Sequence, residues 1–455
     1  MFSLKFFSRQ RLAGSIAVLA LTQFGASLAG LLRENVLART FPNLQVVDAY
    51  IAAFRPSDLL FQACVVSAMG TVLVPVLARY HAKGDTREME NILAGTVGIT
   101  AVLFGIIALL CALLFPWLTP LFGIRFEGET LALYIQFGRL AFLSNFLFVF
   151  GNAYGQYLVT VERYWIYGLT PILYTLGTVT GTLFLTPFIG PYGPMLGTVG
   201  GAVLYVLLRV WAVHRTGCRV WLRLWHPEIP QMVKLMLPRV LSLGAFQVQL
   251  LYLDGFASGL AAGDVTVNAF ARNFQSVLVG VVGIAVAQAV YSRLSQAAAR
   301  NDHVSFSRYI RLSTTLTLAL TIPGAIFLSL FTPIEAALVH LSAHLKIFSA
   351  CLAIYAVSVP FESLTHIQYR AFYALRETLT PALFGVAGGL VAILLCSQTI
   401  GSLGLYALPL GYTAGEIVQV IGLVLFLPLI KRRSMKLDVQ AAVAAPVVEA
   451  ASEAQ

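Results

Sequence analysis

The alternation of long apolar runs with short polar breaks organises this chain, and the run from Gly30 to Leu77 departs from it most usefully. Two stretches there are apolar enough to cross a bilayer, yet they carry Arg33, Glu34, Asp48, Arg55 and Asp58. With 100° between successive helical residues, Asp48, Arg55, Asp58 and Gln62 fall within an arc of roughly 80°. The rest of that helix is mostly Ile, Ala, Phe, Leu, Val and Met. Ionisable groups at membrane depth normally face a watered cavity or a partner helix, so the stripe reads as the wall of a solvated pathway. A plainer reading stands beside it. Leu12–Leu32 and Leu59–Ala78 each supply the about 20 residues a crossing needs, which would leave the charges at the interface.

Apolar runs recur at roughly 12–38, 46–78, 92–122, 131–158, 166–188 and 194–213. Six more follow at roughly 232–260, 266–292, 306–331, 346–370, 378–398 and 403–430. The expected fold is all-α and polytopic: about twelve transmembrane helices in two pseudo-symmetric six-helix lobes around a central cavity. In this division residues 1–11 form a basic cytoplasmic segment on the membrane surface and 12–213 the first lobe. Residues 214–231 are a cytoplasmic connector, 232–430 the second lobe, and 431–455 a basic stop followed by an acidic, Ala-rich, disordered tail. The stretch IAVLALTQFGASLAG also resembles a signal peptide with a cleavage site near Ala29.

An internal repeat supports the division. VDAYIAAF (47–54) resembles VNAFARNF (267–274), and LTPILY (169–174) resembles LTPALF (379–384), at corresponding points of the two halves. A duplicated bundle with a site between its halves is a transporter's plan. The second half then offers Asn268, Arg272 and Gln275 on one face of the eighth span and Asp254 on the seventh. Glu362 and His366 lie on the tenth and Glu416 on the twelfth. Helix-to-helix hydrogen bonding explains many polar residues equally well.

Composition narrows the class. The chain has 455 residues, 58% hydrophobic and 11% charged, with a mean hydropathy of +0.81, which marks an integral membrane protein. The net charge of +10 could suggest nucleic acid, but the basic residues sit in short loops between spans, so no nucleic-acid partner is expected. Nearly all loop Lys and Arg lie on one side, with only Arg39, Arg125 and Lys346 opposite, which places both termini in the cytoplasm. The five cysteines lack metal or redox spacing and read as core residues. There is no GxxxxGK[ST] loop, no HExxH and no GxSxG elbow, so a transporter is expected rather than an enzyme.

GLLRENVLARTF (30–41), DAYIAAFRPSDLL (48–60) and LVPVLARYHAKGD (73–85) together resemble the amino-terminal signature of the MurJ/MviN lipid II flippases. QYRAFYALRETLTPAL (368–383) resembles that family's signature before the eleventh helix. The resemblance covers most of residues 1–430. It implies membership of the multidrug/oligosaccharidyl-lipid/polysaccharide exporter superfamily. It also implies outward movement of undecaprenyl-diphosphate-linked peptidoglycan precursor across the bacterial cytoplasmic membrane by alternating access. On this basis Arg33, Arg55 and Arg272 are the candidate diphosphate-binding residues. Glu34, Asp48, Asp58 and Asp254 are candidates for holding those arginines or a coupling cation, and Gln62, Asn268 and Gln275 are further polar candidates. No cofactor is expected beyond a coupling cation or the membrane potential. The chain is expected to work as a monomer, in the bilayer and alongside the cell-wall synthesis machinery. The chain departs from the family where Ser27, Phe61 and Gln62 stand in place of arginines and Val66 in place of a glutamate, and Arg272 sits one place early. The alternatives are a flippase for another lipid-linked glycan, a cation-coupled small-molecule exporter, and a scaffold without transport.

Overall fold

The computed structural model describes residues 2–452 apart from 67–68, 70–72 and 220. The helices run α1 Phe2–Thr40, α2 Gln45–Phe61, α3 Val74–Ala82, α4 Thr86–Leu118, α5 Gly128–Thr160, α6 Tyr164–Thr180, α7 Thr186–Ile189 and α8 Gly193–His214. They continue with α9 Ile229–Ala257, α10 Asp264–Leu278, α11 Ala285–Ala299, α12 His303–Leu330, α13 Thr332–Leu338, α14 Leu345–Ala374, α15 Leu379–Leu403 and α16 Ala407–Ser452. Seven stretches among the described residues are long and apolar enough to cross a membrane. Two of these fold back on themselves. Tyr164–His214 has 51 residues and turns at Gly190 (φ +61°), so that α6 lies against α8. Leu379–Arg433 has 55 and turns at Gly404 (φ +55°), so that α15 lies against α16. α1, α2 and α9 are further helices outside those seven stretches.

The repeat seen in the sequence extends to the backbone. Every short turn of the first half holds a left-handed residue, and each has a counterpart in the second half. The pairs are Leu44 and Gly263, Gly84 and Asn301, Gly123 and His340, Glu162 and Arg376, and Gly190 and Gly404. Two turns also share a helix cap. Asp85 accepts the Glu88 amide at 3.0 Å, and Asp302 accepts those of Val304 and Ser305 at 3.1 and 2.9 Å. π-helical turns follow α2 (Gln62–Val66) and α10 (Val279–Ile284) at matching places.

Two compact units divide the chain: Met1–Thr266 with Glu335–Ala343, and Val267–Ile334 with His344–Gln455. In the first unit, α6 and α8 approach closely because Gly177, Gly181, Gly197 and Gly201 line their contact. A methyl group added to any of the four would lie under 3.0 Å from the backbone of the other helix. α9, placed by its sequence position in the second half, packs on α2 and belongs to this unit. In the second unit, Gly388, Gly411 and Gly415 serve the α15–α16 contact in the same way. A hydrophobic core in this unit forms from Leu294, Phe306, Phe372, Leu375 and Leu423.

Residues 2–40 form one continuous helix, and the last helix runs to Ser452.

The Glu335–Ala343 segment joins the first unit where Asn35 Nδ2 on α1 donates to the Leu338 carbonyl at 2.9 Å. Glu335 is buried there, and burial raises its carboxyl from the ordinary 4.5 to about 7. A raised carboxyl favours the folded form in acid: its contribution is complete below the ordinary value and is lost as pH climbs through about 7. Thermal melts are therefore expected to lose stability between about pH 5 and about pH 8, and Glu335→Gln removes that part of the slope.

Candidate functional site: buried ion pairs on the membrane helices

The first unit gathers most of the predicted residues. On α1, Arg33 Nη2 stands 3.5 Å from Glu34 Oε1, with Glu34 buried and Arg33 28% exposed. Tyr50 of α2 and Tyr174 of α6 lie within electrostatic reach of the same guanidinium. On α2 the polar stripe exists, and each of its charged members meets a different partner. Arg55 forms an ion pair through Nε with Asp254 Oδ2 of α9, and Asp254 is fully buried. Asp58 Oδ1 accepts from Asn145 Nδ2 of α5 at 2.9 Å, and the same amide reaches Ser57 Oγ at 2.9 Å. Asp58 also feels Arg55 and Tyr174. Charged side chains therefore link α2 and α9 in the series Asp58–Arg55–Asp254, while Arg33 and Glu34 form a separate pair on α1. Gln62 opens the π-helical turn and is half-buried. Such turns concentrate at functional places because they re-aim the side chains beyond them.

Asp48 takes a different position. Its Oδ2 accepts the Gly263 amide at 2.6 Å, and its Oδ1 accepts both the amide and the hydroxyl of Thr266, at 2.8 and 2.6 Å. The carboxylate thus binds the loop and first turn that begin α10, where orphan amides need an acceptor.

The second unit holds the predicted residues of α10. Asn268 Oδ1 accepts from Tyr355 at 2.8 Å. Gln275 Nε2 donates to Ser358 Oγ at 3.1 Å and to Glu362 Oε2 at 2.6 Å. Tyr412 of α16 donates to the same Glu362 oxygen at 3.0 Å. Arg272 is buried one turn from both Asn268 and Gln275, within electrostatic reach of Glu362 and Tyr412. The shared face predicted for Asn268, Arg272 and Gln275 is present, and α14 and α16 cover it.

Three arrangements were not foreseen. Arg209, inside α8, is 2% exposed and spends its donors on neutral oxygens: Thr170 Oγ1 at 2.9 Å and the carbonyls of Gly151 and Tyr167 at 2.7 and 3.1 Å. The Tyr205 ring lies 4.1 Å from its guanidinium carbon. A lone arginine in the apolar run LYVLLRVWAV was the available signal. Second, Tyr50, Thr178 and Thr198 form a buried hydroxyl cluster, with Tyr50 2.9 Å from Thr198 and the two threonines 2.7 Å apart. Third, the connector clamps onto α4. Arg223 N donates to Ala94 O at 3.2 Å, and the buried His226 meets Glu88 at 2.9 Å.

A family model described as "Lipid II flippase MurJ" matches residues 37–450. Similar curated proteins include a lipid II flippase MurJ from Burkholderia cenocepacia. It is 23% identical over 434 residues, covering 89% of this chain and 81% of that one. A probable lipid II flippase MurJ from Bdellovibrio bacteriovorus is 23% identical over 449 residues, 94% and 83% of the two chains. Among solved structures, a lipid II flippase MurJ in an inward closed conformation superposes with a TM-score of 0.77 at 20% identity, covering 92% of this chain and 91% of that one. An inward-facing multidrug resistance MATE family transporter of the MOP superfamily gives 0.79 at 16% identity, over 93% and 99%. At these identities the structural likeness concerns the fold. The family match spans most of the chain, which therefore belongs to the MurJ lipid II flippase family.

Proposed function

We propose that this protein is a flippase that carries undecaprenyl-diphosphate-linked peptidoglycan precursor from the inner to the outer leaflet of a bacterial cytoplasmic membrane. The supporting observation is the pairing of arginines with buried acids on membrane helices, with Arg55 held by Asp254 and Arg33 by Glu34. Burying such pairs costs stability, so they are more readily explained as a site for an anion than as scaffolding. Arginine suits the task because its planar fork matches phosphate oxygens and stays charged at every relevant pH. The acids hold the guanidinium groups in place when no substrate is bound, and a diphosphate displaces them. The sugar-peptide head group rides among polar side chains while the prenyl tail stays in lipid. Alternation of the two halves, driven by a cation gradient or the membrane potential, moves the site from one side to the other. The excess of loop Lys and Arg on one face supports cytoplasmic termini. The protein acts as a monomer beside the cell-wall synthesis machinery.

Growth rescue tests this reading. Supplied in a cell depleted of its own lipid II flippase, the gene is expected to restore growth. Arg33→Ala, with Arg33 already partly exposed, is expected to express normally yet lower transport at least tenfold, equivalent to about 1.4 kcal/mol, with partial recovery in Arg33→Lys. A wild-type rescue matched by Arg33→Ala would remove the diphosphate role. A second reading, a flippase for another polyprenyl-diphosphate glycan, is favoured by the neutral residues at Ser27, Phe61 and Gln62, which weaken the field on a diphosphate. Failure of rescue despite sound expression supports that reading.

A further inference from the structure

Beyond the residues assigned to substrate, the second unit buries two carboxylates that the transport scheme leaves unused. Glu362 of α14 and Glu416 of α16 interact electrostatically inside the helix bundle. Their surroundings differ. Glu362 Oε2 takes two donors, Gln275 Nε2 at 2.6 Å and Tyr412 Oη at 3.0 Å, and Arg272 lies within electrostatic reach. That is the setting of an ionised, acceptor-only carboxylate. Glu416 is 6% exposed and leaves its buried Oε2 with no hydrogen-bond partner among the described residues. A full charge on an unsatisfied, buried oxygen beside a second carboxylate is far more costly than a neutral carboxyl there.

We infer that Glu362 and Glu416 together hold one exchangeable proton, carried on Glu416, and that this proton governs how firmly Arg272 is held. The wider surroundings agree. Arg272 is the charged group α10 adds beside the pair, and α16 adds Tyr412. α14 adds Tyr355 one way along the helix and His366, Tyr369 and Arg370 the other. α11 holds Tyr291 and Arg293, with the Tyr291 ring already engaged by Arg370 at 5.4 Å. The sequence of α15 contains no titratable group except Cys396, and that of α12 none after Arg311. The site therefore carries Arg272 as a cation, Glu362 as an anion and Glu416 as the group free to change. Proton loss from Glu416 adds a second negative charge beside Glu362, so the pair pulls harder on Arg272 and draws the guanidinium away from a bound anion. Proton gain releases it. The coupling to substrate rests on the flippase reading, whereas the proton itself does not.

Infrared spectra of the full chain in nanodiscs, without substrate, test the proton. Wild type is expected to show a protonated-carboxyl band that declines as pH rises. The Glu416→Gln difference spectrum identifies it, and Glu416→Asp keeps it at a shifted position. If the Glu416→Gln spectrum matches wild type at every pH, or if sodium rather than pH removes the band, the inference is overturned. Binding of undecaprenyl diphosphate tests the coupling. It is expected to tighten at least fivefold from the alkaline to the acid end in wild type and to be independent of pH in Glu416→Gln. A flat wild-type profile with intact binding rejects the coupling. Absence of binding at any pH counts against the flippase reading, and the infrared result then decides the proton alone.

Discussion

Replacing Arg55 with alanine is expected to destabilise the first unit by about 3–5 kcal/mol and to abolish transport. The reason is what remains. Asp254 is fully buried and its Oδ2 is engaged by Arg55, so truncation strands a carboxylate inside the helix bundle. The pair itself is not a large source of net stability, because desolvation offsets much of the attraction. A double substitution, Arg55→Met with Asp254→Asn, is therefore expected to recover most of the lost melting temperature while transport stays absent. Thermal melts in detergent together with growth rescue separate the two effects. If the single Arg55→Ala variant melts like wild type, the ion pair is not buried as described. If the double variant transports, the guanidinium has no part in binding.

The second large effect is steric. Gly197→Val is expected to prevent accumulation of folded protein, since its Cβ would press on the Gly177 carbonyl and the Gly181 backbone, which cannot move without separating α6 from α8. Overpacking in a tight interior costs about 1–3 kcal/mol where side chains can yield, and more is expected here because the obstacle is main chain. Gly200 supplies the control: nothing lies within 4 Å of a Cβ built there, so Gly200→Val is expected to express at the wild-type level. Fluorescence-detected gel filtration of tagged variants measures both. Equal profiles for the two would show that the helices do not meet at Gly197.

What the sequence could disclose followed from periodicity. The stripe on α2, the shared face of Asn268, Arg272 and Gln275, and the duplication are all features of local spacing, and each is present in the structure. Partnership between helices is not a local property. Asp48 and Asp58 look alike on a helical wheel, yet one binds backbone amides at the start of α10 and the other an asparagine of α5. The difference lies in which helix is adjacent. Arg209 escaped notice for a related reason. Its acceptors are main-chain carbonyls and a threonine hydroxyl, which carry no distinctive pattern in a sequence. The π-helical turns were equally hidden, because ordinary residues form them when packing demands it.

Those turns bear on how the two halves can flex. Each holds one more residue per hydrogen-bonded loop than the helix that leads into it, a small surplus of chain. Such a surplus can pass to a neighbouring turn by exchanging one hydrogen bond at a time, rotating the segment beyond it without uncoiling the helix. Because α2 and α10 both store it directly after their polar faces, the duplicated bundle has a matched pair of swivels, one beside each set of arginines.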